Sequence, residues 1–148
     1  MRNEIKLEFD AISVNEAFAR VAVAAFVTPL NPTIEELADV KTAVSEAVTN
    51  AVIHGYDGME GKVTLHCTLQ DKRLHIEVRD AGKGIENVEQ AMEPLFTTRP
   101  ELDRSGMGFS FMEAFMDRLV VESTPGEGTL VMMEKDFAKT ACQTDEEE

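Results

Sequence analysis

Apolar and polar positions along this 148-residue chain switch between two periods. Ile5, Leu7 and Phe9 alternate with Lys6 and Glu8, the period-2 pattern of a half-buried strand. Ser13 and Glu16 have the spacing of a capping box, and Val14, Phe18, Val21 and Ala25 recur at helical steps behind it. This predicts a helix with that stripe buried, stopping at Thr28-Pro29. Thr33 and Glu36 repeat the box, and Leu37, Val40, Val44, Val48 and Ala51 mark the core stripe of a second helix that Gly55 ends. Val63, Leu65, Cys67 and Leu69 alternate, a polar turn covers Gln70 to Arg73, and Leu74, Ile76 and Val78 alternate again. That is a β-hairpin with Asp80 at its far end. From Ala81 to Ser105 the pattern dissolves into glycines, prolines and paired threonines, too long for an idle connection and typical of a binding loop or lid. A helix from about Met107 to Leu119, burying Phe111, Met112 and Phe115, precedes a closing hairpin of Val120 to Ser123 and Thr129 to Lys135.

Strands and helices in this order predict an α/β fold: a two-layer sandwich of a mainly antiparallel sheet with helices on one face. One domain is expected over residues 1–136, followed by an acidic, disordered tail at 137–148 that ends Asp145-Glu146-Glu147-Glu148. A net charge of -14 argues against nucleic acid, where clustered cations must displace counterions from phosphate. Cys67 lies in an apolar alternation and Cys142 in the polar tail, which suits a reducing compartment and neither a disulfide framework nor a zinc site. The longest apolar run, Val21 to Val27, is far too short to span a bilayer, and the expectation is a soluble cytoplasmic protein.

The chemistry begins on the second helix. At 100° per residue Glu46 and Asn50 share a stripe away from the core positions Leu37, Val44 and Val48. Asn50 offers a neutral oxygen to a magnesium shell, leaving Glu46 free as a general base. Asp80 at a strand end can accept from the exocyclic amine of adenine, while Gly82 and Gly84 let the backbone turn tightly beside it. Arg104-Ser105-Gly106-Met107-Gly108 opens a helix, where amides attract phosphate, glycines permit close approach and Arg104 can reach the outermost phosphate.

Together these segments resemble the ATPase family shared by gyrase, the chaperone Hsp90, sensor histidine kinases and the mismatch-repair protein MutL. In that resemblance Glu46 to Gly55 is the first box, Asp80 to Gly84 the second and Gly106-Met107-Gly108 the third, and Gly126-Glu127-Gly128-Thr129 looks like the last, whose threonine approaches the adenine. Within the family the chain is most similar to the anti-sigma factor serine kinases of spore-forming bacteria, on Phe18 to Val27 and on Pro94 to Phe109 as well as the boxes. That resemblance implies ATP and magnesium as cofactors. It also implies a homodimer that holds a sporulation sigma factor inactive and phosphorylates a serine of an anti-anti-sigma factor. Glu46 would be catalytic. Asn50, Asp80, Gly82, Gly84, Thr97, Arg104, Ser105, Gly106, Met107, Gly108, Phe109 and Thr129 would hold nucleotide, with Asn50 also on the metal. His54 is either a phosphate contact or a satisfied histidine near the helix end. Val23 and Val27 lie opposite the first helix's expected core stripe, with Glu16 and Arg20 wetting that side. Two readings stand: they meet a partner with Arg20 as an anchor, or they pack under the lid or tail. A general-stress anti-sigma kinase and an ATP-gated binding module are the alternatives, whereas His66 and His75, both in predicted strands, do not suit a phosphoacceptor.

Overall fold

A computed structural model describes residues 1–93 and 108–137. Strands β1 (Arg2–Asp10), β2 (Lys62–Gln70), β3 (Arg73–Asp80), β4 (Arg118–Thr124) and β5 (Gly128–Asp136) form one sheet in the order β1-β2-β3-β5-β4. Every described pairing is antiparallel. Helices α1 (Val14–Phe26), α2 (Ile34–Thr49) and α4 (Gly108–Phe115) accompany it, with a short α3 at Val88–Ala91. The two-layer α/β expectation is met.

Alternation sorts the strands into two faces. Leu7, Leu65, Val78, Val131 and Val121 are successive cross-strand partners, as are Ile5, Cys67, Ile76, Met133 and Leu119. These rows face the helices and meet Val40, Val44, Val48 and Ala51 of the second helical segment in a single core. Burial pushes the Cys67 thiol up to about 12, so it is an inert core side chain. On the opposite face carboxylates and imidazoles interleave: His66 meets Glu4 at 2.5 Å, and His75 lies 3.0 Å from Glu77 and 3.2 Å from Glu134.

Helix α2 begins as expected: Thr33 Oγ1 accepts from the Glu36 N–H at 3.0 Å, and the Glu36 carboxylate accepts from the Thr33 N–H at 2.9 Å. Ser13 makes no corresponding bond, because its backbone is already helical and its side chain caps nothing. The first helix also turns the other way from the predicted one. Ala19, Val23 and Val27 are fully buried, whereas Val14, Phe18 and Val21 are 71%, 53% and 60% exposed, and Ala25 is exposed too. Both stripes have helical spacing, but Ala19 and Val23 are small enough for close approach to α2, on which α1 packs. Phe18 keeps only an edge-on contact with Phe9, their centroids 6.3 Å apart.

Two further boundaries differ. The helix predicted to Leu119 ends at Phe115, because Arg118 already begins β4, and Lys135 Nζ caps it by donating to the Phe115 carbonyl at 2.9 Å. Its buried residues are Phe109, Met112 and the following Met116, while Phe111 and Phe115 are half-buried and stack on each other. Phe137, assigned from sequence to the tail, is 2% exposed and donates its N–H to the Lys72 carbonyl. The Pro94 to Ser105 lid and residues 138–148 of the tail lie outside the described residues.

The two capping serine and threonine positions make opposite predictions. Thr33→Ala is expected to lower unfolding free energy by about 1 kcal/mol, whereas Ser13→Ala leaves it within a few tenths of a kcal/mol. Urea unfolding midpoints of the two variants check this, and equal losses would contradict the caps.

Candidate active site

The innermost polar positions follow from strand register. Phe9, Val63, Asp80, Thr129 and Ser123 are successive cross-strand partners, so one row of the inward face changes from apolar to polar at Asp80. Asp80 is 6% exposed and Thr129 is 4% exposed. The Asp80 carboxylate accepts from the Gly82 N–H at 2.9 Å and from the Thr129 N–H. Burial pushes its carboxyl above the usual aspartate range, and those two amides pull it back only in part.

Close backbone approach explains the glycines. A Cβ on Gly55 would stand 2.9 Å from the Asp80 carboxylate, and one on Gly82 would strike the Gly55 carbonyl oxygen at 2.1 Å. The Lys83 N–H donates to that carbonyl at 2.8 Å, so the end of the second helical segment is fastened to the loop after β3. Gly84, at φ +76°, lies against the Thr124 carbonyl, and the Lys83 carbonyl accepts from the Gly126 N–H at 2.6 Å. The first, second and last boxes therefore meet at Asp80.

Glu46 reaches the third. A Cβ on Gly108, the first residue of α4, would lie 3.2 Å from Glu46 Oε1. A carboxylate thus stands beside a glycine in the first described turn of α4, and a helix N-terminus is where a phosphate can approach backbone amides. Asn50 follows one turn later, at the junction where α2 passes into a π turn over Asn50–Gly55, closed by the Tyr56 N–H on the Ala51 carbonyl. His54 lies within this wider turn and is half-buried. Phe109 packs its ring into the core at 7% exposure, which leaves only its backbone for a ligand. Arg20 is half-buried on α1 and ion-paired with Glu16 at 3.7 Å. Thr97, Arg104, Ser105, Gly106 and Met107 lie outside the described residues.

Two site residues went unnoticed in the sequence. Tyr56 Oη accepts from the Ala81 N–H at 2.8 Å and donates to the Lys62 carbonyl at 2.5 Å. Ser123 Oγ accepts from the Ile85 N–H at 2.7 Å and meets Thr129 Oγ1 at 2.8 Å. The signal for the first was its place, since the chain's one tyrosine directly follows Gly55. A cleft of about 810 Å³ is lined by Glu8, Thr64, Arg79 and Glu122 together with Tyr56, Asp80, Ser123 and Thr129, and includes neither Glu46 nor Asn50 among its walls.

Among the described residues no group of three or more His, Cys, Asp or Glu side chains could hold a metal ion. The donor set fits magnesium carried on a triphosphate, which takes few protein ligands and completes its shell with phosphate and water oxygens. Asn50 would be that ligand.

This combination of an antiparallel sheet, a buried aspartate at a strand end and a carboxylate facing a glycine helix start defines a nucleotide-binding ATPase class. Residues 9–135 match the family model described as the histidine kinase-like ATPase domain. Among solved structures, the catalytic domain of the histidine kinase ThkA superposes with a TM-score of 0.54 at 17% identity, covering 89% of this chain and 95% of that one. The anti-sigma F factor of Clostridium acetobutylicum is 58% identical over 138 residues, 93% of this chain and 96% of its own length. That of Bacillus subtilis is 53% identical over 141 residues, 95% of this chain and 97% of its own. The chain belongs to the histidine kinase-like ATPase family and, within it, to the anti-sigma F factors. No helix among the described residues is long and apolar enough to cross a membrane.

The raised carboxyl of Asp80 predicts a pH dependence. If Asp80 accepts from the amine of a bound adenine, the ionised form is the one that binds, so affinity is complete above the folded-state value and is lost as pH falls through it, at a higher pH than an ordinary aspartate would dictate. Calorimetric titration of ADP from pH 7 downwards should show a proton-linked loss that Asp80→Asn abolishes. The phosphate's own titration remains in both proteins and serves as the reference.

Proposed function

We propose that this chain is an ATP-dependent serine kinase that binds and restrains a sporulation sigma factor and is displaced by the anti-anti-sigma factor it phosphorylates. The observation that carries the reading is Glu46 Oε1 facing Gly108 while the other end of the same helical segment is fastened against Asp80. A nucleotide spanning those two points places adenine at Asp80 and its phosphates at the start of α4. The names of the anti-sigma F relatives support the sigma-factor partner.

In this reading Asp80 selects adenine, with Thr129 beside it, and Asn50 holds the metal end of the triphosphate. Gly82 and Gly84 shape the base loop. Gly108 and the backbone of Phe109 meet the phosphates, and the family resemblance assigns Thr97, Arg104, Ser105, Gly106 and Met107 to nucleotide binding as well. Magnesium would neutralise phosphate charge. Glu46 takes the proton from the attacking serine hydroxyl, a role that needs position more than unusual basicity, because phosphoryl transfer is governed by alignment and charge stabilisation. The serine oxygen bonds to the terminal phosphorus as the bond to the bridging oxygen breaks, and ADP leaves.

The open face of α1 supports the partner half. Val14, Phe18 and Val21, with Ile12 51% exposed just before them, give that face an apolar surface, while the Glu16–Arg20 pair lies on the side of Val23 and Val27. Such a patch suits a subunit or partner contact. A homodimer through this face of α1 leaves Arg20, on the other side of the helix, as an anchor for the sigma factor.

Glu46→Gln should bind ATP nearly as wild type and lose roughly 10² to 10⁴ in phosphate transfer to the anti-anti-sigma factor. Wild-type transfer by that variant would favour the alternative of an ATP-gated binding module.

ATP should tighten sigma-factor binding relative to ADP, and linkage requires that sigma factor tighten ATP by the same factor. The unphosphorylated anti-anti-sigma factor should release sigma, whereas its phosphorylated form, with about two added negative charges, should compete poorly against a chain of net charge -14. Pull-down of sigma factor in each nucleotide, followed by either competitor, measures both. Retention indifferent to nucleotide would defeat the switch.

A further inference from the structure

Tyr56 sits where three elements of the site meet. Its ring is 8% exposed, and its hydroxyl lies between the N–H of Ala81, the residue after Asp80, and the carbonyl of Lys62, the first residue of β2. Direction is forced on this pair of bonds: an amide N–H can only donate and a carbonyl can only accept, so the phenol must accept from Ala81 and donate to Lys62. One hydroxyl thereby ties the end of the segment carrying Glu46 and Asn50 to the two strands that meet at Asp80. The chain also makes room for the ring, since a Cβ on Gly61 would stand 2.2 Å from Tyr56 Cε1.

We propose that Tyr56 is a positioning residue for base selection, holding the Asp80-Ala81 peptide, and through it the Gly82 N–H, so that the Asp80 carboxylate faces the adenine amine. The inference rests on the reading of Asp80 as the adenine acceptor. Asp80 Oδ1 takes its orientation from the Gly82 N–H, and Gly82 is joined directly to the residue that Tyr56 holds. Released from that bond, the Asp80-Ala81 peptide can turn and carry the following Gly82 N–H away from the carboxylate. Adenine presents an amine at the position where guanine presents a carbonyl oxygen, which the lone pairs of a fixed carboxylate repel. A carboxylate left with the Thr129 N–H alone is less firmly oriented and loses discrimination between the bases, while the phosphate contacts at the far end of the segment are unaffected.

The test compares ADP and GDP affinities of the full-length chain with magnesium by calorimetry. Tyr56→Phe keeps the ring and removes both hydroxyl bonds. It should weaken ADP by about tenfold, the scale of one lost, well-formed hydrogen bond, and change GDP little, so that the ADP to GDP preference shrinks by the same factor. Gly61→Ala displaces the same ring from outside the nucleotide site and should reproduce the loss, which decides the matter if Tyr56→Phe fails to fold. Equal weakening of both nucleotides would assign Tyr56 a merely structural role and overturn the inference, as would an unchanged preference in either folded variant. Asp80→Asn separates the two levels. If it abolishes the preference and Tyr56→Phe does not, only the positioning role fails; if Asp80→Asn keeps the preference, the adenine reading fails with it.

Discussion

One buried carboxylate organises the site. Asp80 occupies an inward-facing sheet position that the rows beside it fill with Leu65, Val78 and Val131, and a shift of one residue in register would turn it out to the other face. The apolar rows prevent that shift, since moving them would expose most of the core. Burying an ionised acid opposes folding, and the Gly82 and Thr129 amides offset the cost only in part. In the proposed function the remaining acceptor capacity of Asp80 is what a ligand's donor uses, which would make a group that is suboptimal for the empty protein suited to the occupied one. The glycines around it belong to the same constraint: Gly55 and Gly82 carry no Cβ because a side chain there would occupy the space of the carboxylate or of the backbone beside it.

Much of this was legible from residue order. The hairpin ending at Asp80, the Thr33 and Glu36 box, and the α2 stripe through Val40, Val44 and Val48 each rest on a local pattern that tertiary contacts reinforce. The α1 face was not legible, because Val14, Phe18 and Val21 compete with Ala19, Val23 and Val27 at the same spacing. The larger side chains suggested the core, and packing against α2 favoured the smaller ones. The π turn was equally hidden: nothing in Asn50 to Gly55 breaks helical composition, and the wider step arises where the chain must bring Gly55 against Asp80. Tyr56 and Ser123 escaped notice because each acts through backbone groups whose places only strand register determines.

The exchange of faces on α1 alters how the two halves of the function connect. Taken from sequence, Val23 and Val27 were the candidates for a partner or for the lid; in the fold they lie in the core, and the open surface belongs to Val14, Phe18 and Val21. A helix with both sides apolar is still present, with one side committed to α2 and the other uncovered within a single chain. Its polar pair, Glu16 and Arg20, falls on the side of Val23 and Val27, so the uncovered apolar face and the charged pair are separate surfaces of one helix.

Helix α2 stands between the two regions. It packs on α1 at one flank and on α4 at another, and Glu46 meets Gly108 where α2 and α4 approach. Any adjustment of α4 that follows the terminal phosphate therefore acts on a helix whose neighbour carries the exposed apolar face. Close-packed helices shift as units with little internal deformation, so a small displacement at Glu46 can reach α1 without a separate relay of polar contacts. Such a shift has consequences for a partner only if the partner's contacts differ in free energy between the two arrangements. Proximity through α2 supplies the route, and the sign and size of the coupling are set by what α1 touches on the far side.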